Sequence, residues 1–182
     1  MSDFGIHAIN RGLQAVGHFT GYPMTFVHLR RGRRCMPIVA IVNYVRRVSK
    51  DGIVCLVDEP ASDVNFLPLV ADLRRHGYSL HLTTDGSRDY HGYPFDWITV
   101  EPSRPDYILR SGHTLVIDFD ISSARTLKAR LSGFDERSHF FHRYLRPLTS
   151  KAADAAQSFL LSSANKSWAL DPTSALIFPQ EK

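Results

Sequence analysis

The stretch of chain that decides the fold is residues 24–57, MTFVHLRRGRRCMPIVAIVNYVRRVSKDGIVCLV. Residues 24–29 are apolar and rich in strand-forming side chains, which predicts a strand. Residues 37–48 carry apolar side chains at helical spacing, with proline in the first turn, where a helix tolerates it. Residues 53–57 are continuously apolar, as in a strand that is covered on both faces. A strand, a helix and a buried strand in this order predict a parallel β–α–β unit.

The same alternation continues along the chain. A helix is predicted over 64–76, with Gly77 as its stop signal, and serine-capped helices over 122–131 and 150–162. Further strands are predicted over 80–84, 97–100, 115–117 and 140–145. We assign residues 1–13 to an N-terminal lead-in and 168–182 to an irregular tail. The pattern predicts one α/β domain over residues 1–182, with mostly parallel strands and a ligand site at their carboxyl ends.

Composition excludes several classes of protein. The chain has 182 residues and only two cysteines, Cys35 and Cys55, too few for a secreted disulfide framework. Its first residues are too polar for a signal peptide, and its longest apolar run, 36–42, is far shorter than a membrane span. The net charge of +4 is compatible with an anionic partner without requiring one. We therefore expect a cytoplasmic protein with no membrane partner.

A series of short motifs resembles the 7-carboxy-7-deazaguanine synthases, which are radical S-adenosylmethionine enzymes. The family's QGEG, GxP and FVRL correspond to QAVG at 14–17, GYP at 21–23 and FVHL at 26–29. Its TGGEP, ETNGT and DWITxSP correspond to LVDEP at 56–60, TTDGS at 83–87 and DWITVEP at 96–102. Its LQPL and the tail motif WRLSLQTHK correspond to LRPL at 145–148 and WALDPTSAL at 168–176.

The resemblance implies a fold, an assembly and a pocket. The fold would be an open, incomplete (β/α) barrel of the radical S-adenosylmethionine type, and the assembly a homodimer or a heterodimer with a related chain. The inherited ligand pocket would lie at the carboxyl ends of the strands. Its residues would be Gln14, His28, Asp58, Thr84, Asp85 and Thr173.

The chain departs from this family where the chemistry takes place. The family's cysteines stand directly after FVRL, and a cluster with one open iron needs three thiolates. Here residues 30–36 contain Cys35 alone, while Cys55 falls within a predicted strand. Val57 and Asp58 replace glycines of the GGEP motif, and His28 replaces the FVRL arginine. We expect neither a four-iron, four-sulfur cluster nor bound S-adenosylmethionine, and no metal site.

Four arginines make the loop after the first predicted strand strongly basic. They are Arg30, Arg31, Arg33 and Arg34. Guanidinium groups bind phosphate in bidentate fashion, so the loop is a candidate site for an anionic ligand or a nucleic acid. A solvated surface loop, or a patch that pairs with acidic residues of a neighbour, is the commoner explanation of such a run, and no aromatic residues stand between the arginines to stack on bases.

The other candidates for catalysis are acidic. Asp118 and Asp120 share a predicted strand end, and Glu59 follows another strand. Such residues act as acid/base pairs or cation ligands, although strand-end carboxylates more often cap the next turn. His139 and His142 stand three apart on a predicted strand, so they face opposite sides and do not form a metal pair.

Three hypotheses for function follow, in order of preference. The first is a non-catalytic binding, regulatory or subunit protein on the deazaguanine synthase scaffold. The second is an enzyme with cluster-independent chemistry on a pterin- or purine-like ligand in the inherited pocket. The third is a nucleic-acid-binding module that uses the arginine loop.

Overall fold

The computed structural model describes residues 3–30, 34–58, 65–90, 92–102, 111–120, 139–162 and 168–172. Within these ranges the chain forms nine strands and three helices. The strands are β1 (Asp3–Leu13), β2 (Pro23–Leu29), β3 (Arg34–Pro37), β4 (Ile53–Asp58), β5 (Ser79–Thr84), β6 (Trp97–Val100), β7 (Ser111–Phe119), β8 (His139–Pro147) and β9 (Ala169–Leu170). The helices are α1 (Ile38–Val48), α2 (Leu67–Arg75) and α3 (Ser150–Ser162).

All nine strands form one sheet, in the order β3-β1-β2-β4-β5-β6-β7-β8-β9. The pairs from β2 to β9 are parallel, whereas β1 runs antiparallel to both of its neighbours. The predicted α/β class with mostly parallel strands is therefore confirmed. In the part of the chain that the structure describes, strands β3 and β9 form the two edges of this sheet and do not pair with each other. Closure into a barrel therefore stays a prediction.

The core lies between the helices and one face of the sheet. Every second side chain of the central strands is fully buried on this helix face, including Val54 and Leu56 of β4 and Leu80 and Leu82 of β5. The apolar stripes of α1 and α2 pack against them, with Ile41, Val42, Val45, Leu69, Val70 and Leu73. Because strand side chains alternate, the residues between them point to the other side of the sheet. We call that side the second face; it carries Cys55, His81, Trp97, Thr99, Thr114 and His142.

Two predicted boundaries need correction. The N-terminal lead-in is largely a strand, β1, in which Phe4 and Ile6 are buried. Its pairing with β2 shifts register between Ile6 and Ala8, so the alternation of apolar and polar residues is broken and the strand pattern is obscured. The tail contributes β9 beside β8, and residues 173–182 lie outside the described part.

Other boundaries moved by smaller amounts. Arg34 was assigned to the basic loop but is the first residue of β3, which pairs with β1. The strand predicted over 115–117 extends over Ser111–Phe119. The prediction was too short because polar residues flank the apolar core of this strand, and a hydrophobic pattern does not detect them. The helix predicted over 122–131 lies outside the described residues. No helix in the described ranges is long and apolar enough to cross a membrane.

Candidate functional site at the carboxyl ends of the strands

Parallel strands bring their carboxyl ends to one edge of the sheet, and polar side chains gather there. Asp58 ends β4, Thr84 ends β5, Glu101 follows β6, Asp118 lies near the end of β7 and Arg146 near the end of β8. Ligand sites of parallel α/β sheets lie at this edge. The alternation of side chains divides these residues between the two faces.

Glu101, Asp118 and Arg146 form an ion-pair cluster on the second face. Arg146 donates from Nη1 to Oε2 of Glu101 at 2.7 Å and from Nε to Oδ1 of Asp118 at 2.6 Å. Asp118 and Arg146 are neighbours in the β7–β8 register, and Glu101 stands on the other side of β7. The side chains are 25% exposed for Arg146, 22% for Glu101 and 48% for Asp118. The cluster is thus half-buried and spans three adjacent strands.

The electrostatics of the cluster raise the pKa of Glu101 above its ordinary value. Burial raises the pKa of Glu101, the guanidinium of Arg146 offsets only part of this, and the charges of Asp118 and Asp171 raise it further. Burial alone would lower the pKa of Arg146, but its bond to Asp118 and the charge of Glu101 leave that pKa above its ordinary value. Arg146 therefore stays charged, while Glu101 is the group prepared to exchange a proton.

A third carboxylate, that of Asp171, acts on the described part of this cluster. Asp171 is buried directly after β9, and its backbone N–H donates to the carbonyl of Leu145 at 2.8 Å. Its charge is close enough to raise the pKa of Tyr144 on β8, after the larger effect of burial. Among the described residues, the guanidinium of Arg146 is shared by two carboxylates, Glu101 and Asp118, whose remaining lone pairs can accept further hydrogen bonds. Such a site suits a ligand edge rich in N–H donors.

Asp58 and Thr84 lie on the helix face and belong to a different arrangement. The hydroxyl of Tyr90 donates to Oδ2 of Asp58, which is buried. Burial, and then this bond to Asp58, hold the pKa of Tyr90 above its ordinary value. The hydroxyl of Thr84 accepts from the backbone N–H of Gly86 at 3.2 Å. These two candidates hold the loop after β5 and do not converge with the Arg146 cluster.

The remaining described candidates are dispersed. Asp85 accepts from the backbone N–H of Ser87 at 2.9 Å, as in a turn cap. Gln14 is buried at the opposite edge of the sheet, because antiparallel β1 ends where β2 begins, and its amide donates to the carbonyl of Val16 at 3.2 Å. His28 lies beside Phe26 on β2, with ring centroids 6.3 Å apart.

The described part of the chain includes only some of the basic loop and of the remaining predicted site residues. Arg30 is exposed directly after β2, and its backbone N–H donates to the carbonyl of Gly5 at 3.0 Å. Asp120 follows β7 and is partly exposed. The predicted sites Glu59, Thr173, Arg31, Arg33 and the side chain of Arg34 lie outside the described part.

Sequence reasoning missed Glu101 and Arg146 as site residues. Both stand within quoted motifs, in DWITVEP and LRPL, at the ends of predicted strands. Their positions in the chain could have identified them, because a charged residue at the carboxyl end of a parallel strand is a site candidate in this architecture. The hydrogen bond between them could not be predicted from local sequence, since 45 positions separate the two residues.

The two cysteines are far apart in the sheet. Cys35 is exposed on edge strand β3, and Cys55 is buried on β4. Strands β1 and β2 lie between them and the two residues are also offset along the strands, so the thiols are more than about 14 Å apart at the usual strand spacing. Burial raises the pKa of Cys55 to about 12, so that its thiol stays protonated. Within the described ranges, no three His, Cys, Asp or Glu side chains are arranged to hold a metal ion.

Comparison with known proteins identifies the fold. No protein-family model matches the chain, and no curated protein matches its sequence. In structure it is similar to QueE from Escherichia coli, a 7-carboxy-7-deazaguanine synthase, with a TM-score of 0.68 and 16% sequence identity. The match covers 93% of each chain. At this identity the likeness concerns the fold alone, and it agrees with the QueE-like α/β fold that the motif resemblance implied, while the barrel stays a prediction.

Proposed function

We propose that this protein binds a small planar ligand without radical chemistry, on a scaffold like that of QueE. The observation that carries the proposal is the Glu101–Arg146–Asp118 cluster, because it places acceptors of fixed orientation at the carboxyl ends of three adjacent strands. Carboxylates held by a guanidinium accept hydrogen bonds from amino and ring N–H groups. A pterin- or purine-like base presents such an edge, and the product named for QueE is itself a deazaguanine.

The cysteines support the non-catalytic part of the proposal. An iron–sulfur cluster of the radical type needs three thiolates around one site. The whole sequence has two, on strands that two others separate. S-adenosylmethionine would then lack the open iron that anchors it in such enzymes. We expect neither cofactor to bind tightly.

The raised pKa of Glu101 favours a second candidate function. A carboxyl group that holds its proton at higher pH is suited to general acid–base catalysis. The second candidate is cluster-independent chemistry on the same class of ligand, with Glu101 as the proton carrier and Asp118 and Arg146 orienting it.

The assembly we propose is a homodimer or a heterodimer with a related chain, in the cytoplasm. Edge strands β3 and β9 each have one partner among the described residues. Exposed edges of a sheet favour pairing with another chain unless they are covered.

Iron reconstitution tests the absence of cluster chemistry. The protein, incubated anaerobically with iron and sulfide and then desalted, is expected to remain colourless and to retain less than about one iron per chain, because two separated thiols do not complete a cluster. Iron analysis and visible absorption measure this. Brown protein with about four irons per chain, unchanged in Cys35→Ala, would overturn the proposal's non-catalytic part.

Ligand binding at the Glu101–Arg146–Asp118 ion-pair cluster is tested with pterin and guanine as probes. A probe at a hundred times its Kd should stabilise the fold by about 2.7 kcal/mol, seen as a rise in melting temperature. Glu101→Gln and Asp118→Asn each remove a charged acceptor, so titration calorimetry should show affinity falling by about ten- to a hundredfold.

The matched control for these variants is Asp154→Asn, at an exposed position of α3. It makes the same chemical change away from the cluster and should bind like the wild type. If neither probe stabilises the protein, or if all three variants bind equally well, the cluster is not the ligand site.

A further inference from the structure

The loop between β1 and β2, residues 14–22, has a defined shape. The backbone N–H of Gln14 donates to the carbonyl of Tyr22, and that of Gly21 to the carbonyl of Gln14, both at 2.9 Å. The hydroxyl of Thr20 donates to the carbonyl of Gly17 at 2.7 Å. These bonds make the loop a compact unit that can move as one piece.

Two rings of this loop pack on the second face of the sheet. The imidazole of His18 stacks on His142 with centroids 4.2 Å apart and planes 12° apart, and on Trp97 at 5.0 Å and 19°. Phe19 meets Trp97 edge-on at 4.7 Å and lies 4.8 Å from His81. The loop therefore covers the amino-terminal part of the second face mainly through ring contacts.

Histidines dominate the surface that receives the loop. His113 stacks on Trp97 at 4.7 Å and 23°, and His142 lies 5.7 Å from the same ring. The indole N–H of Trp97 donates to the hydroxyl of Thr114 at 3.2 Å, which holds the indole on the sheet. His18, His81, His113 and His142 thus surround Trp97; we call these five residues the histidine cluster.

Few charges are available to compensate protonated imidazoles here. The carboxylate whose charge acts on His81 and His113 is Asp96, and Asp96 already bonds Arg74, Ser79 and the backbone of Leu80. The titratable groups that face the cluster from the surrounding described elements are Tyr22 of the loop, Cys55 of β4, Asp96 before β6 and Tyr144 of β8.

The neutral forms of His81, His113 and His142 are favoured more strongly in the folded chain than in the unfolded chain. Burial lowers the pKa of His81 to about 4, and burial also lowers the pKa of His113. Burial, and then the charges of His18 and His113, lower the pKa of His142. A base whose pKa is lowered on folding stabilises the closed form above its unfolded pKa near 6.5, and this stabilisation is lost as the pH falls toward 4.

We propose that the loop of residues 14–22 is an acid-released cover of the second face, closed while His142 is neutral and opened when His142 takes up a proton. The neutral imidazole of His142 stacks against His18 at 4.2 Å, whereas its charged form is repelled by neighbouring imidazoles and needs water that the closed loop excludes. The loop covers the amino-terminal part of the face whose carboxyl end carries the Arg146 cluster, so this proposal does not depend on the proposed ligand. Its test needs no ligand, and its failure would leave the ligand proposal standing.

Hydrogen exchange followed by mass spectrometry tests this device. Between pH 7 and pH 5, after correction for the intrinsic pH dependence of exchange, amides of residues 14–22 should exchange about tenfold faster. Amides of β4 should keep their protection and so report that the sheet is intact. A loop that exchanges at the same corrected rate at both pH values overturns the proposal, as does acceleration of the loop and β4 together.

Substitution separates charge from packing. His142→Phe keeps a ring in the stack but removes the charge, so the loop should stay protected at pH 5. If that variant does not fold at pH 7, His142→Gln removes the charge in the same way. His7→Phe, at an exposed position of β1, is the matched control and should open like the wild type. Opening of the His142→Phe or His142→Gln loop at the wild-type pH overturns the proposal.

Discussion

Replacing Arg146 with methionine is expected to destabilise the fold by about 2–3 kcal/mol at pH 7. The change removes both bonds of the guanidinium and leaves Glu101 and Asp118 facing each other, with Asp171 nearby. Breaking a fully buried ion pair costs about 3–5 kcal/mol, and partial exposure of these side chains reduces that cost. Urea unfolding of both proteins measures the difference.

The destabilisation caused by Arg146→Met should become smaller as the pH falls. Without Arg146, burial and mutual repulsion raise the carboxyl pKa values in the folded state above those in the unfolded state. The folded variant then binds more protons than its unfolded form, so acidification stabilises it relative to the wild type. The gap between the two proteins should therefore be smaller at pH 4.5 than at pH 7.

Two further variants identify the cause. Glu101→Gln combined with Arg146→Met removes one of the opposed charges and should recover part of the stability. Arg74→Met breaks an equally short pair with Asp96, at 2.6 Å on a more exposed arginine, together with two bonds to the carbonyl of Pro94, and should cost about 1 kcal/mol. An Arg146→Met protein as stable as Arg74→Met would contradict a charge-balanced cluster.

Replacing Gly17 with alanine is expected to cost about 2–4 kcal/mol. Gly17 has φ +78°, a conformation that disfavours any side chain, and a Cβ there would come within 2.8 Å of Cγ2 of Thr114. Thr114 is fully buried on β7, and its hydroxyl holds Trp97. The loop must therefore lift or the sheet must adjust. Thermal and urea unfolding measure the cost.

Gly21 supplies the matched control for this contact. It lies in the same loop with φ +86°, but a Cβ there meets nothing within 4 Å. Gly21→Ala carries the backbone strain alone, so it should cost about 1 kcal/mol. Thr114→Ser removes Cγ2 and keeps the hydroxyl, and it should relieve part of the Gly17→Ala loss in the double variant. Equal losses for the two glycine variants would show that the loop does not bear on Thr114.

Local patterns were sufficient for most of the secondary structure. The apolar run at 53–57 became β4, and the helical spacing at 37–48 became α1, because each pattern reflects burial of one face or both. The strand–helix–strand order also predicted parallel pairing, since a crossover helix returns the chain to the same edge. Strand β1 escaped prediction because a register shift after Ile6 interrupts its alternation.

The candidate site was less accessible to the same reasoning. The family resemblance placed Asp58 and Thr84, and position in the chain placed Asp118, at strand ends, and in the structure Asp58 ends β4, Thr84 ends β5 and Asp118 lies near the end of β7. The folded sheet, however, puts their side chains on opposite faces. Asp58 bonds Tyr90 on the helix face, whereas Asp118 bonds Arg146 on the second face.

The number of cysteines, and with it the lack of ligands for a three-thiolate cluster, depends on the residues of the chain alone. The spacing of hydrophobic residues and the turn residues determine local structure over a few positions of the chain, so strands and helices could be located from them. The Glu101–Arg146 pair and the stacking of His18 on His142 join residues far apart in the chain. Such contacts depend on strand order and on which face each side chain takes, and only the folded sheet decides both.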